Sequence, residues 1–259
     1  MPPRSILITG GGTGIGAAIA TECASRECAV LITGRQSTAL DAVAERSSHI
    51  TPIAGDVTNA SHRTSLAEAL ASLPAPRALF HAAGFFQTGL LNTLSHEDWQ
   101  RSFDTNVTAR WDLTRQALPA LSGGRILFVG SDAGRNPRHG AAAYSIAQSA
   151  SETLRRSFQT ELAQTDIAVT DFKPGLVDTP MVRGFLKSPD KTFPGRRDYL
   201  GYIERGELTA PQTVAKFATW LLCDVEHERF RMTEWDIRDD THHHEWLNGP
   251  LFLSIDATR

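Results

Sequence analysis

At 259 residues, with 41% hydrophobic and 21% charged side chains, the chain can bury one sizeable core and is too short for two full α/β domains. A net charge of −3 provides no clustered basic footprint for nucleic acid or an anionic membrane, so neither is expected as a partner and a small molecule is. The opening Met1-Pro2-Pro3-Arg4 leads into an apolar run of about five residues, short for a signal segment or a membrane span, which makes the cytoplasm the expected location.

Short apolar or β-branched runs then alternate with stretches of helical pattern. Strands are expected at 5–9, 29–33, 50–54, 78–82, 125–130 and 167–172, with a weaker one within 231–237. Between them the pattern predicts helices after Gly14 and at 39–46, 61–72, 95–121, 141–164 and 211–223. This βαβ rhythm predicts a parallel sheet of about seven strands covered on both faces. The fold class is therefore α/β: a Rossmann-type, doubly wound, three-layer α/β/α sandwich in a single domain over residues 1–259. Its ligand is expected at the carboxyl ends of the strands. Residues 182–206, rich in Gly, Pro and charge, break the rhythm and read as a substrate lid.

Cys23, Cys28 and Cys223 match no zinc or redox spacing and read as structural thiols. His242, His243, His244 and Glu245 are consecutive, so their side chains diverge; the segment reads as a polar C-terminal stretch, and no metal is expected.

After the first strand comes Thr9-Gly10-Gly11-Gly12-Thr13-Gly14-Ile15-Gly16, opening a helix. Glycines here let the backbone turn tightly and approach a pyrophosphate, whose charge is stabilised by exposed N–H groups and the positive helix end. The spacing resembles that of the short-chain dehydrogenase/reductase family. Further stations follow in the family's order: Asp56, His81-Ala82-Ala83-Gly84, Asn106, Ser131, Tyr144 and Pro174-Gly175-Leu176-Val177-Asp178-Thr179-Pro180-Met181. The resemblance runs from roughly Arg4 to Asp240; beyond it, 238–259 is an atypical C-terminal extension.

The resemblance implies a dinucleotide cradled by Gly10, Thr13, Gly14, Ile15 and Gly16, with Asp56 and Val57 at the adenine. Ala83 and Gly84 would allow close cofactor approach, and Pro174, Gly175, Val177 and Thr179 would border the nicotinamide. Where NAD-dependent members carry an acidic residue after the second strand, this chain has Gly34-Arg35. A guanidinium pairs well with a 2′-phosphate, so NADP(H) is the expected cofactor. His81 reads as a hydrogen-bonded structural residue.

Reducing a carbonyl builds negative charge on oxygen, so a proton donor and a second hydrogen-bond donor must reach it. By resemblance Tyr144 is the acid/base, Ser131 polarises the oxygen, and Asn106 helps to hold a water-linked proton path. The family places a lysine four residues after the tyrosine, where it binds the nicotinamide ribose and supplies charge. This chain has Gln148, which can bond ribose hydroxyls but carries no charge. The missing charge is worth about 1.4–4 kcal/mol at the proton-transfer step. Lys173 is the lysine whose motif anchors it near the site, and Arg135, Arg138 and His139 are expected at the pocket mouth, favouring a polar or anionic substrate.

These residues predict an NADP(H)-dependent oxidoreductase acting on a carbonyl or alcohol with an atypical Ser-Tyr-Gln site. Two other readings stay open at this point: a non-redox catalyst on the same scaffold (eliminase, cyclase or isomerase), and a catalytically silent cofactor-binding homologue. The resemblance further implies a homodimer or homotetramer built on the helices at 95–121 and 141–164.

Overall fold

The computed structural model describes residues 1–232 and 234–253. Thr233, inside the segment expected to hold the last strand, and 254–259 of the expected extension lie outside the described residues. The first half of the domain contains β1 (Ser5–Thr9), α1 (Gly14–Ser25), β2 (Ala29–Gly34), α2 (Ser37–Ala44), β3 (Ile50–Ala54) and α3 (Ala60–Ala71). The chain continues through β4 (Arg77–His81), α4 (His96–Phe103), α5 (Ala109–Ala117), β5 (Arg125–Val129), α6 (Ala142–Glu161) and β6 (Ala168–Lys173). After β7 (Leu176–Val177), α7 (Pro180–Phe185), α8 (Arg196–Glu204) and β8 (Leu208–Thr209) come α9 (Pro211–Cys223), α10 (His227–Met232), β9 (Trp235–Asp236) and α11 (His243–Trp246).

Seven of the described strands form one sheet in the order β3-β2-β1-β4-β5-β6-β9, and β7 pairs with β8 apart from it. The ladders are parallel throughout, as in β1 with β2 and β4. Strand order reverses between β1 and β4, so a crevice opens at their carboxyl ends. Alternation of side chains along each strand explains the two covered faces. Ile6 and Ile8 join Val30, Ile32, Phe80 and Leu127 in a layer against α1 and α9. Leu7, pointing the other way, joins Leu31, Leu79, Ile126 and Phe128 against α3, α5 and α6. Phe80 is fully buried, and truncating such a side chain to Ala costs about 3–5 kcal/mol. Cys23 and Cys28 are buried free thiols, with Cys23 Sγ 3.6 Å from Thr219 Oγ1. No described helix is long and apolar enough to cross a membrane.

Two expectations are corrected. The single helix expected at 95–121 is divided: α4 gives way to a π-helical turn, Asp104–Thr108, before α5, and Pro119 sits in a 3-10 turn at Leu118–Ala120. The π turn contains no proline or glycine to mark it in the sequence, whereas Pro119 lacks the N–H that would continue the helix. The polar reading of the His-rich segment also fails at His242, which is 3% exposed. A 3-10 turn at Asp240–His242 swings its ring against Phe217 and Trp220, at centroid distances of 5.1 and 5.5 Å. Trp246 Nε1 then donates to its Nδ1 at 2.9 Å, so this part of the extension seals the core beside α9.

Candidate active site

A cavity of about 910 Å³ at the carboxyl ends of β1, β4 and β5 runs from the glycine-rich loop to Tyr144. At one end the wall is mainly backbone. Gly10 has φ +69°, and a Cβ there would lie 2.8 Å from the Ala83 nitrogen. At Gly16 a Cβ would fall 2.3 Å from the Gly10 oxygen, so the loop closes on itself only without side chains. Thr9 Oγ1 accepts from Ala83 N at 3.1 Å and ties this turn to the end of β4. Thr13 caps α1 without using its side chain, and the first turn carries no acidic residue. Free first-turn N–H groups at a positive helix end suit an anionic pyrophosphate, so the residues present fit a dinucleotide.

Asp56 Oδ1 accepts from both the backbone N and Oγ1 of Thr58, each at 2.9 Å. Burial alone would raise its carboxyl, but these bonds and the charges of Arg35 and Arg101 hold it below the ordinary carboxylate range. Arg35 is exposed and shares the cavity wall with Asp56 and Val57. Further along the wall lie Ala83 and Gly84, then Pro174, Gly175, Val177 and Thr179.

The other end is made of side chains. On α6, Tyr144, Gln148 and Ser151 are spaced by four and three residues and so share one helix face. Gly134 lets the loop after β5 lie against that helix, because a Cβ there would approach the Gln148 carbonyl carbon to 3.1 Å. Ser131 Oγ accepts from Ala133 N at 3.2 Å, which leaves its hydrogen for the Tyr144 oxygen. Burial pushes the Tyr144 phenol up from its ordinary value; the Ser131 hydrogen bond, the Arg110 charge and the Gln148 hydrogen bond pull it back.

Asn106, expected in the proton path, does not reach the cavity wall. Its amide is held by the backbone of Phe85, accepting from the N–H at 3.1 Å and donating to the carbonyl at 2.9 Å. His81 is satisfied as expected: Nε2 is 2.8 Å from Thr114 Oγ1 and its ring stacks on Phe128. Lys173 lines the cavity, but its charge acts on Glu152, Asp171, Glu234 and Asp236. Of the three residues expected at the mouth, Arg138 is there. Arg135 is instead paired with Glu152 and Glu234, and His139 is exposed on the surface.

The sequence reading did not find Arg110. It lies on α5, 4% exposed, with Nη1 donating to Ser151 Oγ at 2.8 Å and to the Val129 carbonyl at 3.1 Å. Nη2 reaches the Ala83 carbonyl at 3.4 Å. Nor did it find the aromatic wall. Phe86 lies 4.6 Å from the Tyr144 ring and 4.4 Å from Phe185, and Phe185 is 4.8 Å from Tyr199. Phe185 and Tyr199 come from the expected lid segment, which thus forms one side of the cavity. Arg138 sits over the Tyr199 ring at 5.8 Å and pairs loosely with Asp198 at 3.6 Å.

Comparison with known proteins agrees with this geometry. The profile of the short chain dehydrogenase family matches residues 4–189. The 2,3-dihydro-2,3-dihydroxybenzoate dehydrogenase of Escherichia coli (strain K12) is 31% identical over 234 residues, covering 86% of this chain and 90% of that protein. Elsinochrome reductase 1 of Elsinoe fawcettii is 30% identical over 262 residues, covering 97% and 92%. Among solved structures, a Serratia marcescens short-chain dehydrogenase/reductase mutant superposes with TM-score 0.76 at 26% identity, covering 90% of this chain and 94% of that one.

Proposed function

The chain belongs to the short-chain dehydrogenase/reductase family of nicotinamide-dependent oxidoreductases, and on that basis we propose that it is an NADP(H)-dependent enzyme interconverting a carbonyl and an alcohol. The observation that supports this most is one continuous cavity joining the glycine-rich loop to Ser131, Tyr144 and Gln148.

When bound, the nicotinamide gives or takes the hydride. Ser131 donates a hydrogen bond toward the oxygen on which charge develops, and Tyr144 transfers the proton, a role typically worth 10²–10⁴-fold in rate. Gln148 stands where the family has lysine; its amide holds ribose hydroxyls without adding charge. Arg35 pairs with the 2′-phosphate as a planar guanidinium does, and the α1 amides receive the pyrophosphate. Asn106 acts indirectly in this reading, fixing the Phe85 backbone and so the course of the chain beside Gly84.

Phe86, Phe185 and Tyr199 suit a planar ring, and Arg138 suits an anionic substituent. A relative named for 2,3-dihydro-2,3-dihydroxybenzoate, a ring bearing a carboxylate, has a substrate of this chemistry. The test has two steps: NADPH and NADH titrations followed by fluorescence, then cofactor consumption across cyclic ketones with and without a carboxylate. Tighter binding of NADPH and turnover of the ring ketones are expected. Absence of NADPH binding overturns the cofactor assignment, and binding without turnover of any carbonyl or alcohol overturns the reaction.

A further inference from the structure

Four described arginines are buried at 6% exposure or less, and their partners differ. Arg63 is paired with Asp112 at 2.6 Å and Arg155 with Asp171 at 3.1 Å. Arg125 donates to the carbonyls of Leu221 and Val225 at 2.6 Å each, at the negative end of α9, and lies over the Phe230 ring. Arg110 has neither a carboxylate within ion-pair distance nor a helix end. Its bonds go to two backbone carbonyls and one hydroxyl, and its Nε, like those of Arg125 and Arg155, is buried without a hydrogen-bond partner. Burying a guanidinium on neutral acceptors alone is costly, so these bonds offset the burial of the charge only in part.

The position of that charge is specific. Two of its acceptors, Val129 and Ala83, lie where β5 and β4 deliver the chain to the cavity. The third, Ser151, is two turns beyond Tyr144 on the same face of α6. Arg110 itself lines the cavity. We propose that Arg110 supplies, from behind the active site, the positive charge that stabilises the ionised form of Tyr144, so that charge and ribose binding are divided between Arg110 and Gln148. This rests on the reading of Tyr144 as the acid/base. Arg110 acts through Tyr144 and is a positioning residue.

Other groups face this pair from neighbouring elements. On β4, buried His81 is held neutral, by burial first and then by the Arg110 charge, so it adds no second cation. On β6, Asp171 attracts Arg110 but is engaged by Arg155. On α8, the hydroxyl of Tyr199 is pushed up to about 12, chiefly by burial, so near neutrality it stays uncharged beside Tyr144. Burial draws Arg110 down to about 10, which leaves it protonated at neutral pH. It is the cation whose charge lowers the phenol.

The test uses the cofactor-free protein. The chain has three tyrosines, so phenolate absorbance titrated against pH, minus the same curve for Tyr144→Phe, isolates Tyr144. Arg110→Gln keeps hydrogen bonding and loses the charge. The midpoint of the Gln variant is expected on the order of one unit higher than wild type, about tenfold in ionisation. Ser151→Asp provides an independent arm: it leaves Arg110 in place and offsets its charge, and the midpoint is expected to rise likewise. An unchanged midpoint in either charge-altering variant overturns the proposal, and Ser151→Asp decides alone if Arg110→Gln does not fold. Because the readout needs no turnover, an inactive wild type that still shows these shifts would refute the proposed reaction and leave this inference standing.

Discussion

The two ends of the cavity are built differently. At the nucleotide end the wall is backbone closed over glycines, with Gly10 packed on Ala83 and Gly16 on the Gly10 carbonyl. At the reaction end it is a set of side chains, Ser131, Tyr144, Gln148 and Arg110, brought together from the β5 loop, α6 and α5. A backbone-built site tolerates almost no added atom. A side-chain site accepts changes of shape and fails when one functional group is lost. Substitutions at the two ends should therefore separate binding from turnover.

The largest effect is expected for Tyr144→Phe. Removing the proposed proton donor should lower kcat by roughly 10²–10⁴-fold while the NADPH dissociation constant stays within a few-fold of wild type. Steady-state kinetics beside a fluorescence titration reads both, and a loss of binding as large as the loss of rate would erase the contrast between the ends.

Next comes Gly10→Ala. A left-handed φ on a residue with Cβ, added to a 2.8 Å approach to the Ala83 backbone, should cost about 2–5 kcal/mol, divided between thermal stability and NADPH affinity. Wild-type affinity and melting temperature in this variant would mean that the loop yields more readily than its packing suggests. Arg35→Glu should have a smaller and selective effect: replacing a charge-assisted contact by a like charge weakens NADPH by roughly 10–100-fold and leaves NADH unharmed. An equal loss for both cofactors would move Arg35 out of 2′-phosphate recognition.

The same contrast explains what could be read from sequence. The strand-helix rhythm and the glycine loop are local: each strand's apolar run and the spacing Gly10 to Gly16 carry their own geometry, and the sheet and nucleotide end follow from them. The reaction end is legible only where it coincides with a family motif, at Ser131, Tyr144 and Gln148. Arg110 stands four residues after Asn106, a spacing that in a regular helix puts both on one face. The intervening π-helical turn, with Ala109 N–H bonded to the Asp104 carbonyl, rotates that relation. Asn106 then turns to the Phe85 backbone while Arg110 turns to the cavity. Phe86, Phe185 and Tyr199 meet only because α7 and α8 lie against the loop that follows β4, and no local pattern encodes that meeting.

The smallest effect tests the scaffold beneath both ends. Asp112 on α5 is bonded to Arg63 on α3 at 2.6 Å and to Arg115 at 2.7 Å, and Arg63 in turn donates to the carbonyl of Val57 on the cavity wall at 2.7 Å. Burial alone would raise its carboxyl, but the hydrogen bonds from Arg115 and Arg63, and the charge of Arg63, leave it below the ordinary value. A carboxylate lowered on folding binds fewer protons in the folded state, so its contribution to stability is fully present above the unfolded pKa of about 3.9. As pH falls below that value toward the lower folded pKa, the contribution is lost. Urea melts collected between about pH 7 and pH 3 should therefore show the Asp112 contribution constant down to roughly pH 4–5 and declining below it. Asp112→Asn should lower stability at neutral pH by stranding Arg63, and its melts should depend less on pH in the acid range than those of the wild type. NADPH affinity in the folded variant should match wild type. A parallel loss of affinity would show that the α3–α5 pair supports the cavity as well as the scaffold, and that the two ends are less independent than their construction implies.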